Sequence, residues 1–308
     1  MPLRQLSPDP KNGDGAAALI DIIAVHGLNL QSKSDADHAW DTWRTPPGPT
    51  GRLWLRDDLP QHVPDSRIFL YQYNATATYG RDRDTFIGKA NELLEAIRIE
   101  TEDGEHRPII FLGHSMGGLL IKQALLNANN NPKYQSIKAA TTGLVFFATP
   151  DHGGDRELTS KMAIKAGFQK GDDVLEILKQ GSIFSEIMQE GWRHQHLQYD
   201  IVSFWGGRDN IVARDSAWLG MLPGDREHIV KLNANHDTIC KFGSSENDQD
   251  NLKLVRSNIK EVYKNTLKRF GFQVIHSAVG FENTTDIGLQ ARLAALPDCP
   301  SLNPVRRV

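Results

Sequence analysis

Three residues far apart in the chain have side chains that can do acyl-transfer chemistry together. Ser115 sits in Gly113-His114-Ser115-Met116-Gly117, Asp209 follows the apolar run Asp200 to Trp205, and His236 follows Glu227 to Leu232. A serine hydroxyl attacks a carbonyl carbon only when a base takes its proton, and that base stays in the right tautomer only when an acid holds its other nitrogen. Ser, Asp and His occur here in an order that a Ser-His-Asp triad can adopt. The developing oxyanion also needs two N–H donors. The backbone N–H of Met116, next to the serine, and that of Leu28, next to His26-Gly27, are the candidates.

The acid has a rival. Gly206-Gly207-Arg208-Asp209-Asn210 is a good turn sequence in its own right, so Asp209 could serve only the turn. Asp151 follows the preceding apolar run and keeps the same chain order. His152 would precede Asp209 and is read as structural or substrate-adjacent. His114 is expected to pack or hydrogen-bond beside the serine, and His26 to brace the oxyanion loop. Trp40, Trp43, Trp192, Trp205 and Trp218 are read as packing residues. No His-x-x-x-His spacing and no complete phosphate loop occurs, so neither a metal nor a cofactor is expected.

These residues need elements to hold them. Gly-x-Ser-x-Gly alone is a common pattern, and its meaning comes from context: a strand that stops, a tight turn through glycines, and a helix that starts at once. Pro108 to His114 is an apolar run suited to a buried strand, and Gly118 to Ala128 continues with helical apolar spacing. Further strands are expected over Ile20 to Val25, Arg67 to Tyr73, Gly143 to Thr149, Asp200 to Trp205 and Glu227 to Leu232. Helices are expected over Asp84 to Ile99, with Phe86, Ala90, Leu93, Leu94 and Ile97 on one face, and over Asn251 to Phe270. Ser32 to Arg56 reads as a polar loop containing tryptophans. The alternation of strands and helices argues for an α/β fold with a mostly parallel sheet covered on both faces. In such sheets functional residues gather after the carboxyl ends of the strands, which is where Leu28, Ser115, Asp151, Asp209 and His236 fall.

Composition narrows the class. The sequence has 308 residues without a Pro/Gly/Ser-rich linker in its middle, so one main domain over 20–270 is expected, with a small helical lid near 155–195. Residues 1–19 are expected to be a flexible segment and 271–308 an extension or linker. A net charge of −3 gives no general attraction to nucleic acid, and no stretch is long and apolar enough to span a bilayer. Two cysteines, Cys240 and Cys299, are too few for a disulfide framework, and the polar N-terminus has no secretory apolar region. A cytoplasmic protein acting on a small-molecule or lipid ester is expected, with the oligomeric state open.

Val25-His26-Gly27-Leu28, Leu112 to Leu119, Phe146-Phe147-Ala148-Thr149-Pro150 and Asn235 to Phe242 together resemble the lipase-like serine hydrolases related to the GPI inositol-deacylase and phosphatidylglycerol-remodelling group. The likeness is strongest to the N-terminal hydrolase domains of fungal NOD-like receptor proteins, and it extends through Trp54 to Pro60 and Asp215 to Gly220. It implies an α/β-hydrolase fold and esterase or lipase-like activity, with Ser115 and His236 in matching positions. Relatives of this group usually read Thr-Pro-His-Arg-Gly where this chain has Thr149-Pro150-Asp151-His152-Gly153, and their acid position varies. The receptor likeness also implies a second reading, a signalling or interaction module with weak or regulated hydrolase activity.

Overall fold

The computed structural model describes residues 3–8, 18–29, 33–75, 83–101, 107–153, 183–192, 195–219 and 227–271. The first part of the chain forms β1 (Leu3–Ser7), β2 (Ile20–Val25), α1 (Asp35–Thr42), a two-stranded ribbon of β3 (Arg44–Thr45) and β4 (Arg52–Leu53), α2 (Trp54–Asp57) and β5 (Ser66–Tyr71). Then come α3 (Arg83–Glu100), β6 (Ile109–His114), α4 (Met116–Asn130), α5 (Gln135–Ala140) and β7 (Thr141–Phe147). The last part has α6 (Ile183–Trp192), β8 (Asp200–Gly206), β9 (Glu227–Leu232) and α7 (Glu246–Arg269).

Seven strands form one sheet in the order β1-β5-β2-β6-β7-β8-β9, all parallel except β1, which pairs antiparallel with β5. The non-sequential neighbours require crossovers, and the helices of those crossovers cover both faces. Alternation along the strands assigns the side chains. Ile23, Val25, Phe69, Tyr71, Phe111, Leu144 and Phe146 enter the core shared with α3, α4 and α5. Their neighbours Ile22, Ala24, Ile68, Leu70, Ile110, Leu112, Val145 and Phe147 enter the core shared with α1, α2 and α7. Successive residues of a strand point to opposite faces, which is why these runs read as continuously apolar.

Several expectations are met and two are corrected. The five α3 residues placed on one face are all buried. Leu3–Ser7 is no loose segment. It is an edge strand whose Leu3 joins one core and Leu6 the other. Five residues with two apolar positions are too few for their periodicity to show this in advance. The Ser32–Arg56 stretch is not one loop either. Ser34 caps α1 by accepting the Asp37 N–H, and Trp43 and Trp54 are sealed against Phe147 beneath the sheet. The proposed lid and the C-terminal extension lie outside the described residues, apart from 183–192 and 195 of the first and Gly271 of the second. Among the described residues no helix is long and apolar enough to cross a membrane.

Candidate active site

Ser115 is where β6 ends and α4 begins, and its backbone is strained to make that turn. Its φ of 52° and ψ of −126° lie in a region that costs a residue with a side chain of order 1–3 kcal/mol. The surroundings hold it there: Ser115 N–H donates to the Phe147 carbonyl at 2.9 Å, and its own carbonyl accepts the Gly118 N–H at 3.0 Å. The flanking glycines are demanded by packing. A Cβ on Gly117 would lie 2.4 Å from the His26 carbonyl oxygen, and one on Gly113 2.7 Å from the Gly118 Cα. The Ser115 hydroxyl makes no capping bond to α4, so it is free to face another partner.

That partner is His236. Its Nε2 lies 2.9 Å from Ser115 Oγ, and its Nδ1 lies 2.9 Å from Asp209 Oδ2. A carboxylate only accepts, so Nδ1 carries the ring proton and Nε2 is left with the lone pair that receives the serine hydroxyl. Ser115 and His236 are 7% and 5% exposed, and the Asp209 side chain has no exposure at all, so little water competes for these bonds. Asp209 Oδ1 accepts the N–H groups of Ile211 at 2.8 Å and Val212 at 3.0 Å. Burial alone would raise the Asp209 carboxyl, but the hydrogen bond from His236, with those two N–H groups, holds it below the usual carboxylate range.

The loops that carry acid and base are tied to each other. Gly207 N–H donates to the Leu232 carbonyl at 2.8 Å and Arg208 N–H to the Ala234 carbonyl at 3.0 Å, so the turns after β8 and β9 are held together. Asn251 of α7 accepts the Asn233 N–H at 3.1 Å, and Trp54 Nε1 donates to the Cys240 carbonyl at 3.0 Å. His114 Nε2 donates to the His236 carbonyl at 3.1 Å. Burial, and then the neighbouring His236, push the His114 imidazole well below its ordinary pKa, so it stays a neutral brace.

Asp151 has a different partner. It forms a buried ion pair with Lys122 of α4, and no hydrogen bond or ion pair joins it to His236 among the described residues. Burial lifts its carboxyl above the usual range even against the lysine charge. The backbone N–H of Asp151 and that of His152 both reach the Ser216 carbonyl, so their loop is fixed by the segment after β8.

Leu28 and Met116 border the serine from two elements. Met116 is the first residue of α4, whose N–H has no intrahelical acceptor. Leu28 follows Gly27, where a Cβ would come within 2.9 Å of Ser115 Cβ. His26 is fully buried, and burial followed by the nearby His38 lowers its pKa to about 3. The Tyr73 hydroxyl donates to the His26 carbonyl at 2.8 Å, holding this loop to the strand end after β5. Sequence reasoning missed Tyr73, Trp54, Asn251, Lys122 and His38. Their contacts reach 47, 186, 18, 29 and 11 residues along the chain, and no residue spacing pairs them with the site. Among the described residues no cluster of three or more His, Cys, Asp or Glu could hold a metal ion.

Comparison with known proteins agrees on the fold. The Bacillus licheniformis lipase BlEst2 in mature form superposes with a TM-score of 0.51 at 15% identity, covering 78% of this chain and 92% of that one. A structure described among two fungal esterases from Rhizomucor miehei gives 0.55 at 13% identity, over 82% and 78%. The chain has the α/β-hydrolase fold. No protein-family model matches it. In sequence it is similar to the protein SERAC1 of Homo sapiens, 27% identical over 249 residues, or 72% of this chain. SERAC1 of Danio rerio is 33% identical over 153 residues, 43% of this chain and 22% of that protein. The chain spans 36% of the length of the mammalian relatives it matches.

Proposed function

We propose that the chain is a serine hydrolase that cleaves a carboxylic ester through an acyl-Ser115 intermediate. One observation carries the reading: the unbroken run of hydrogen bonds from Ser115 Oγ through His236 to Asp209, with a strained serine at its head. As Ser115 Oγ bonds to the ester carbonyl carbon, His236 Nε2 takes the hydroxyl proton and Asp209 steadies the imidazolium. The carbonyl oxygen becomes an oxyanion received by the N–H groups of Leu28 and Met116. Collapse expels the alcohol, which takes the proton from Nε2. A water then attacks the acyl carbon with His236 again as base, releasing the acid and restoring Ser115.

A fluorophosphonate probe tests this directly. It should label the wild type and fail on Ser115→Ala, and equal labelling of the two would end the proposal. A reducing, cytoplasmic setting is the expectation that the two cysteines of the sequence leave. A second reading, a signalling or interaction module with weak or regulated activity, draws on the greater length of the matched relatives, in which such a unit is a part. A folded protein that turns over no member of a panel of short and long acyl esters would favour it.

A further inference from the structure

The carbonyl oxygen of Gly27 is reached by two imidazoles. His26 Nδ1 lies 2.9 Å from it and His38 Nε2 lies 3.1 Å from it. The two rings meet edge to face, with centroids 4.8 Å apart and planes at 89°. A carbonyl oxygen only accepts, so both nitrogens must donate, and this assigns both rings. In His26 the other nitrogen, Nε2, is then the lone pair that faces the Tyr73 N–H at 3.5 Å. Burial pushes both pKa values down, so the arrangement is one of neutral rings near pH 7. His38 comes from α1, in a stretch that carries no motif, and nothing in the acyl-transfer steps uses it.

The geometry of the peptide gives this contact a purpose. In a trans peptide the C=O and the following N–H point in opposite directions, so whatever fixes Gly27 O fixes the N–H of Leu28. Position 27 has to be glycine, because a Cβ there would press on Ser115 Cβ at 2.9 Å and on the His114 carbonyl at 3.1 Å. Glycine is also the residue that least resists rotation of its peptide. A flipped Gly27–Leu28 peptide would aim a carbonyl oxygen at the place where the oxyanion forms. Among the described residues the Leu28 N–H has no acceptor in the fold, while the next N–H, of Asn29, is anchored to the Ala75 carbonyl at 3.0 Å.

We propose that His38 is a positioning residue of the oxyanion hole: together with His26 it holds Gly27 O, and so keeps the Leu28 N–H turned toward the reacting ester. The inference rests on the serine-hydrolase reading. It concerns a group that touches neither substrate nor reacting atoms, and it deepens the role of a loop whose own sequence shows only His26 and Gly27.

Three variants test it. His38→Ala and His38→Met remove the donor, the second with little change in volume, whereas His38→Gln can place an amide N–H near the position of Nε2. The readouts are the rate of labelling by a fluorophosphonate, kcat and KM on p-nitrophenyl butyrate, and the thermal midpoint. Losing one neutral hydrogen bond should slow labelling and lower kcat roughly 2- to 10-fold, with KM little changed, and His38→Gln should recover most of the rate. A lowered thermal midpoint with wild-type labelling and kcat in both His38→Ala and His38→Met means that His38 only packs, and overturns the inference. If His38→Ala does not fold, equal rates in His38→Met and His38→Gln overturn it just as well. A folded wild type that neither labels nor turns over ester removes the serine-hydrolase reading itself, an outcome distinct from the other two.

Discussion

Lys122 Nζ and the Asp151 carboxylate are joined where solvent does not reach, each side chain 2% exposed. The lysine also lies 4.7 Å above the Phe146 ring and 5.8 Å from that of Trp192, so α4, the loop after β7 and α6 converge on one charge. Asp151 is paired with this lysine behind Ser115, and among the described residues the carboxylate hydrogen-bonded to His236 is that of Asp209.

Removing one member of the pair should therefore cost stability and spare chemistry. Asp151→Ala leaves a buried ammonium without its counter-charge, a change that destabilises by about 3–5 kcal/mol. Replacing both partners with apolar residues, Lys122→Met with Asp151→Leu, should recover most of that loss. Urea denaturation of the single and double variants measures it. An Asp151→Ala protein that stays as stable as wild type but loses turnover by a hundredfold would instead make Asp151 the acid.

Asp209→Asn should do the reverse. The amide can still offer Oδ1 to the Ile211 and Val212 N–H groups, so the turn persists. Its other atom now donates where a carboxylate accepted, and His236 must turn its lone pair toward it. Nε2 then carries the proton and cannot receive that of Ser115. Turnover should fall on the order of 10⁴-fold, with the thermal midpoint nearly unchanged. Steady-state rates alongside a thermal melt decide the matter, and a loss smaller than tenfold would remove Asp209 from the mechanism.

Much of this was legible in the chain, for identifiable reasons. The strands that carry the site are buried on both faces, so runs such as Ile109 to Leu112 read as strands without any tertiary knowledge. The turn at Ser115 advertised itself because its glycines are required by contacts as close as 2.4 Å. What the sequence left open was which carboxylate meets the base. Asp151 and Asp209 both follow strands, and they differ only in partners 29 and 27 residues away, Lys122 and His236. His38 and Tyr73 were illegible for the same reason: their roles are set by backbone oxygens of Gly27 and His26, which no side-chain pattern reports.

Gly117→Ala should disturb the oxyanion loop from the far side. The added methyl would meet the carbonyl oxygens of His26 at 2.4 Å and Val25 at 2.5 Å, and backbone atoms cannot swing away as a side-chain tip can. Overpacking of this kind costs typically 1–3 kcal/mol, and here the end of β2 must shift to relieve it. The thermal midpoint should drop, and fluorophosphonate labelling should slow further than stability alone explains, because Leu28 moves with the strand end. Unchanged labelling in the folded variant would show that the loop absorbs the methyl without consequence.

Acid should destabilise the fold through its buried imidazoles. His26, His38 and His114 all have folded pKa values below their ordinary 6.5, with His26 near 3, each chiefly through burial. The unfolded chain binds these protons as the pH falls through about 6.5 and the folded chain does not, so unfolding takes up protons and stability declines with falling pH. Each such proton contributes a slope of up to about 1.4 kcal/mol per pH unit. Asp151 and Glu227, whose carboxyls are raised by burial, act in the opposite sense, and Asp209, held low, adds to the loss at more acid pH. With these three imidazoles and that of His62, also lowered chiefly by burial, set against two carboxyls, the net sign favours destabilisation between pH 7.5 and 5.5. Urea midpoints at those two values should differ in that direction, and the difference should shrink in His38→Gln, which removes one of these protons. Stability that is flat or rises toward pH 5.5, with the same profile in His38→Gln, would mean that His38 is charged in the folded protein, and with it the tautomers assigned around Gly27 would fall.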